Sequence, residues 1–354
     1  MTPQLRQPVT GRSPWKWATL AADSSWQFEL ESRHVDEIAA LLKTLRTAKL
    51  EPPHIEREHV SGPALCELIS AMRQEVEAGY GVARVTGLPV EDFNPEDLET
   101  LFWALGLLLG QPVSQNSAGE CIAHVVDRGV SYDQANVRGY TTRAELVPHC
   151  DAGPDFTGLL CVHPSKRGGE SSVASSMAIY NEILNRHPEY LDDLYRGFFH
   201  DLRGEGPTGS LDELTNHRIP VYSYFDGDLS CSFNTKSMEQ ANDKMGTQYS
   251  ATQRASVDYI LELAGNPEFR YDMVFQSGDI QFVNNHTILH SRNEYEDYPE
   301  PERKRRLLRM WIVQPECRSL DPLYADRFNT GPRGGIARRH DLGRALPGLS
   351  STQP

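Results

Sequence analysis

A histidine and a carboxylate two residues apart can bind one metal ion if the chain between them is extended, because alternate residues of a strand point the same way. Two imidazoles and one carboxylate on one face of a divalent metal, with the other face open, are the ligand set of mononuclear non-haem Fe(II) sites. In sequence this reads as His-x-Asp/Glu followed by a distant histidine. The chain contains four such triplets: His34-Val-Asp36, His54-Ile-Glu56, His149-Cys-Asp151 and His187-Pro-Glu189. With 12 His and 49 Asp plus Glu in 354 residues, chance supplies roughly two. Context separates them. His34 opens a helical pattern, where i and i+2 diverge by ~200°. His54 follows Pro52-Pro53, and His187 closes a helical stretch before Pro188. His149 alone is extended, with Val147-Pro148 ahead and an apolar strand behind. Its plain alternative is a hydrogen-bonded structural histidine.

The distant partner falls in SGDIQFVNNHTILHSR, which offers a turn, an apolar strand and two histidines, His286 and His290. At strand spacing the two share a face, so either could serve, with the other hydrogen-bonded or exposed. The third element is positive charge. In RKRRLLRMWIVQ, Arg305, Leu307, Arg309, Trp311 and Val313 have one parity. Two arginines then point to one face of a largely apolar strand, ~13 Å apart at the backbone. An inward arginine among apolar residues needs an anion, and its planar fork suits a carboxylate. The competing reading is a basic edge strand or surface ion pairs, which fits 303–306 better than Arg309.

The elements that must carry these residues can be read coarsely. Apolar stripes predict helices over 35–45 and 65–76, and acids in the first turn mark another at 95–109. Further helices fit 177–187, 190–196 and 251–264, and strands fit 81–90, 156–162, 171–176, 219–225, 229–233, 280–285 and 305–314. Residues 111–148 read as loop-rich, with Gln115, Asn116, Tyr140 and Arg143 either on a specificity loop or on ordinary surface. Short strands dominate from 155 to 315, with helices before and between them. That order predicts a mostly β jelly roll with helical cladding rather than alternating βαβ units. The expected organisation is an N-terminal arm and helix over 1–60, one catalytic domain over 61–327, and a loose Gly- and Arg-rich tail over 328–354. Trp15 and Trp17 are expected to pack the arm.

Composition narrows the function classes. Lys and Arg number 35 against 49 acids, a formal net charge of −14. Such a surface disfavours nucleic acid and anionic bilayers as partners. No apolar run reaches the ~18 residues of a membrane span, and the N-terminus lacks an apolar signal core, so a cytoplasmic protein is expected. The six cysteines show no C-x-x-C spacing and read as mostly buried thiols. G-x-G-x-x-G, P-loop, G-x-S-x-G and H-E-x-x-H signatures are missing.

On GYGVARVTGLP, the VPHCD block, KRGGESSVAS, GDIQFVNNHTILHSR and RRLLRMWI, in that order, the chain resembles the taurine and 2,4-dichlorophenoxyacetate dioxygenase family of clavaminate synthase-like enzymes. The resemblance spans roughly 60–315. It implies a double-stranded β-helix core and dependence on Fe(II), 2-oxoglutarate and O2. By position it implies His149, Asp151 and His290 as metal ligands, which gives His286 a structural role. It implies Arg305 as the partner of the distal 2-oxoglutarate carboxylate, with Ser171 where the family often has a threonine. Arg309 matches a second arginine that often faces the primary substrate. The implied reaction is hydroxylation, or desaturation or cyclisation, of a small molecule such as an amino acid or other small carboxylate, with release of succinate and CO2. A homo-oligomer is left open. The rival readings are a jelly roll that binds without turnover and a metalloenzyme that does not use 2-oxoglutarate.

Overall fold

The computed structural model describes residues 3–337 except 135, 136, 315, 317 and 332. Cys317 and the 338–354 part of the expected tail lie outside the described residues.

Two β-sheets face each other. The larger runs Gln27–Glu29, Val82–Thr86, Ile280–Asn284, Phe156–His163, Arg306–Val313 and Gln111–Val113, with Ile122–Val125 also paired to Arg306–Val313. Its pairings are antiparallel except Gln27–Glu29 with Val82–Thr86. The smaller sheet runs Arg270–Met273, Ser171–Ser175, Ile288–Arg292 and Leu146–His149, all antiparallel. Val82, Cys161, Val283 and Leu307 of the first meet Val173, Met273 and Ile288 of the second in one buried cluster. This is the jelly roll expected from the strand pattern.

The outer faces of the sheets are clad by helices, and this explains why some strands are apolar throughout. Along Arg306–Val313, Leu308, Met310 and Ile312 pack outward against Leu101, Phe102 and Leu105, while Leu307 packs inward. Alternation therefore survives, but both faces are covered. Helices Ser32–Ala48, Pro63–Ala78 and Pro95–Leu109 supply that outer layer. Pro95–Leu109 is buried nearly all round, as its composition requires, and Asn94 caps it by accepting from Asp97 N at 2.8 Å. Each fully buried Leu or Phe there contributes about 1.5–3 kcal/mol. Helices Ser176–Arg186, Leu191–Arg196 and Ala251–Gly265 back the smaller sheet. Helix Thr235–Met245 was not legible in the sequence: its buried face is Thr235, Ser237, Met238 and Ala241, too polar to give an apolar stripe.

Segments near both ends of the described residues are built into this scaffold. Trp15 is buried and donates its indole N–H to Tyr80 O at 2.7 Å, whereas Trp17 is half exposed, so one of the two tryptophans anchors the arm. Helix Ser32–Ala48 shares one apolar cluster with Pro63–Ala78 across the expected boundary at 60. Phe328 and Ile336 pack against Trp311 and Leu202. Arg333 donates to Gln314 O at 2.8 Å and sits 3.4 Å from Asp155. No helix among the described residues is long and apolar enough to cross a membrane.

The turn at Ser277-Gly278-Asp279 feeds the strand Ile280–Asn284. Gly278 has φ +88°, and a Cβ there would lie 2.0 Å from Leu88 O. Replacing Gly278 with alanine is expected to cost about 2 kcal/mol or more, read as a lower denaturation midpoint. An unchanged midpoint would mean that the turn relaxes freely.

Candidate active site

His149 closes the strand Leu146–His149 and lies directly opposite His290 in the neighbouring strand. The imidazole centroids are 4.4 Å apart. Asp151 lies just past the end of that strand, so simple strand alternation does not hold it in place. Asn285 does: its Oδ1 accepts from Asp151 N at 2.8 Å and its Nδ2 donates to Asp151 O at 2.7 Å. One potential ligand atom from each of His149, Asp151 and His290 lies within 4.8 Å of the others. His286 is engaged elsewhere, 2.8 Å from Asp155 Oδ1 and 3.1 Å from Tyr324 Oη. The remaining triplets stay outside the group; His34, for instance, accepts from Glu31 N in a helix cap.

Hydrogen bonds fix the donors. His149 Nδ1 lies 2.8 Å from Val147 O, so that nitrogen carries the proton and Nε2 keeps its lone pair. Burial pushes both imidazoles below the ordinary histidine range, His290 to about 3, which keeps them neutral as ligands must be. Buried His290 Nδ1 has no hydrogen-bond partner among the described residues. Asp151 is buried too. Burial pushes its carboxyl up, but the Arg309 charge and the neighbouring imidazoles outweigh this and hold it well below the usual carboxylate range. Its Oδ2 accepts from Thr157 Oγ1 at 3.0 Å and Trp311 Nε1 at 2.9 Å. Those two donors are cross-strand partners, so one rung of the larger sheet aims the carboxylate. Such a donor set, two neutral imidazoles and an oriented carboxylate, fits a divalent first-row metal.

Two cavities meet at this group and share His149, Tyr140, Leu146 and Arg309. The inner one is lined by apolar Val125, Leu159, Phe275 and Leu307 and also by Ser171, Arg292 and Arg305. Arg305 is buried, sits 4.9 Å from the Tyr295 ring and leaves Nη1 unpaired. Arg292 lies 4.9 Å from the same ring with Nε and Nη1 unpaired. Burial lowers both guanidinium pKa values, that of Arg292 to about 10. Two buried cations with idle N–H groups fit a carboxylate that brings its own charge and lone pairs. The Ser171 hydroxyl donates to Gln281 Oε1 at 3.2 Å.

Arg309 is held on both sides. It donates from Nε to Gln115 Oε1 at 2.7 Å and from Nη1 to Asp151 Oδ1 at 3.3 Å. The Tyr140 ring lies 4.4 Å away, and Nη2 is unpaired among the described residues. The sequence leaves Gln115 and Tyr140 on either a specificity loop or ordinary surface and gives Trp311 no role beyond its place on the strand. The parity that Trp311 shares with Arg309 was the available signal; nothing local marked Asn285, Thr157 or Arg292.

A mostly β jelly roll with two histidines and an aspartate converging between its sheets is the architecture of mononuclear non-haem iron oxygenases. The family described as "Taurine catabolism dioxygenase TauD, TfdA family" matches residues 46–311. FR-33289 synthase of Streptomyces rubellomurinus is 32% identical over 312 residues, 87% of this chain and 91% of that protein. An asparagine oxygenase structure with Fe(II), 3-hydroxyasparagine and succinate superposes with TM-score 0.63 at 16% identity, over 81% of this chain and 93% of that one. The oxygenase OrfP with Fe and alpha-ketoglutaric acid gives 0.58 at 14%, over 81% and 94%. The chain belongs to the TauD/TfdA family and is an Fe(II)- and 2-oxoglutarate-dependent oxygenase.

Proposed function

We propose that His149, Asp151 and His290 hold the Fe(II), that Arg305 with Ser171 binds the distal carboxylate of 2-oxoglutarate, and that Arg309 faces a small anionic substrate whose unactivated C–H bond is hydroxylated. The observation that carries this reading is the convergence of the three ligand atoms within 4.8 Å. When bound, the metal with 2-oxoglutarate and O2 supplies oxidative decarboxylation to succinate and CO2 and the oxidant that attacks the C–H bond. The residues around it bind, orient and keep water out. Thr157 and Trp311 fix the Asp151 carboxylate, and Arg309 balances its charge. The apolar lining between the triad and Arg305 shields the reacting centre from solvent. Ser171 has one proton, shared with Gln281 in this structure, so Arg305 carries most of the anion's binding. Relatives of known structure contain hydroxylated amino acids, which supports a small polar substrate.

The test is anaerobic addition of Fe(II) and 2-oxoglutarate, followed by O2. A weak visible charge-transfer band and slow succinate release are expected even without primary substrate. A folded protein showing neither would exclude the reading. A subtler variant probes the orientation of Asp151. Trp311→Phe keeps the ring but removes one of the two donors to Oδ2. Fe(II) affinity of the 2-oxoglutarate-loaded protein should fall about 10- to 100-fold. Unchanged affinity would reduce Trp311 to packing.

A further inference from the structure

Asp151 lies past the end of its strand, so the aim of its carboxylate depends on side chains from elsewhere. Asn285 holds its backbone, Trp311 donates to Oδ2 and Arg309 to Oδ1. Each of these supports rests in turn on one piece of chain, residues 326–331 and 333–336, most of which the sequence assigns to a loose tail. The Trp311 indole is fully buried and packs with Phe328 and Ile336. The fit is close: a Cβ on Gly153 would lie 3.0 Å from Gly334 O, 3.1 Å from the Trp311 ring and 3.3 Å from the Phe328 ring. Arg309 is oriented by Gln115, whose Oε1 accepts from Arg309 Nε at 2.7 Å. The residue before it, Ser114, is bonded to Ile336 in both directions. Ile336 N donates to Ser114 O at 3.0 Å, and the Ser114 hydroxyl donates to Ile336 O. Asn285 donates its own backbone N–H to Asp155 O at 2.8 Å. The buried Asp155 carboxylate accepts from Gln314 N and lies 3.4 Å from Arg333 Nη2. Arg333 also donates to Gln314 O at 2.8 Å and to Arg318 O at 2.6 Å.

We infer that this segment is a positioning strap for the metal's carboxylate ligand, and that Phe328 and Arg333 are the residues through which it sets how Asp151 is presented. The inference rests on the proposed role of Asp151 as a ligand to Fe(II). None of the strap's residues is one of the three converging donors, and none lines either cavity at the triad. The strap therefore acts on the metal through the supports of Asp151 or not at all. It also lies past residue 311, where the family match ends. The physical basis is twofold. A carboxylate held at both oxygens keeps one orientation, whereas a loosely held one rotates, and ligands fixed by outer partners bind metal more tightly. Close-packed interiors barely compress, so a displaced Phe328 ring is felt by the Trp311 ring against it. Arg333 works at the other side of the ligand, fixing the Asp155 loop on which Asn285 leans. The competing reading is that the segment adds stability alone. In that case loosening it lowers the denaturation midpoint and leaves metal affinity untouched.

The experiment is an anaerobic Fe(II) titration of the full chain in the presence of 2-oxoglutarate, read from the charge-transfer band. It is run below the midpoint of every variant, with metal-free midpoints measured alongside. Phe328→Ala and Arg333→Gln should each lower Fe(II) affinity about 3- to 10-fold and shift the band maximum. The loss is smaller than for Trp311→Phe because both residues stand one contact further from the ligand. Arg333→Lys keeps the charge facing Asp155 and should recover most of the loss. Once the indole N–H is gone, Phe328 has nothing left to aim. The double variant Phe328→Ala with Trp311→Phe should therefore bind Fe(II) within about twofold of Trp311→Phe alone. If Phe328→Ala does not fold, Arg333→Gln and its lysine counterpart carry the test. Lower midpoints with affinity and band unchanged, or full additivity in the double variant, would overturn the strap. Failure of the underlying ligand reading looks different: the wild-type protein itself then binds no Fe(II) and shows no band.

Discussion

Asp151→Ala is expected to show no charge-transfer band with Fe(II) and 2-oxoglutarate and no succinate release above background. The loss should exceed the ~10- to 100-fold that follows from deleting an outer hydrogen-bond partner, because the change removes a ligand and its negative charge together. A second effect accompanies it. Asp151 is the partner of buried Arg309 and the acceptor for Thr157 and Trp311. Removing one member of a buried charge pair costs about 3–5 kcal/mol, so the denaturation midpoint should fall as well. His149→Ala separates the two consequences, since it deletes a proposed ligand that, among the described residues, hydrogen-bonds Val147 O and pairs with no arginine. It should lose metal binding with a smaller loss of stability. Either variant retaining both the band and uncoupled succinate would refute the ligand assignment.

Arg305→Ala should weaken 2-oxoglutarate binding by about 10²-fold or more, the cost of truncating one side of a buried, charged hydrogen-bonded contact. Fe(II) affinity should change little, because Arg305 lines the cavity beside the triad and is not one of the three converging donors. The stability outcome is the more diagnostic. Arg305 forms no ion pair among the described residues, and its burial, only partly offset by Asp297 and Tyr295, works against its charge. The ligand-free Arg305→Ala protein should therefore melt no lower than wild type, while the rise in midpoint that 2-oxoglutarate gives wild type should vanish. Arg305→Lys should recover only part of the affinity, since an ammonium keeps the charge but not the planar fork. Unchanged affinity in the alanine variant would move the role to Arg292, which lies over the same tyrosine ring with two unpaired nitrogens.

Much of this site was written locally. The extended context of His149, the turn and strand leading to His290, and the shared parity of Arg305 and Arg309 are short-range patterns. They depend on strand alternation and turn chemistry, which a sequence displays directly. The strong helices were legible for the same reason: stripes such as Ile38, Leu41, Leu42 and Leu45 repeat at helical spacing. The choice between His286 and His290 was not local. Both follow the same apolar strand, and only the tertiary packing shows Asp155 and Tyr324 holding one while His149 faces the other. Asp151 is a similar case, because its place depends on Asn285, 134 residues away in the chain. The strap behind Asp151 is a further case, since Phe328, Arg333 and Ile336 meet Trp311, Asp155 and Ser114 through contacts that no spacing connects. Sequence alone thus determined which donor types were present and which short elements carried them. Tertiary structure decided which donors converge and which charges go unpaired, because those properties arise between elements distant in the chain and leave no periodicity within any one of them.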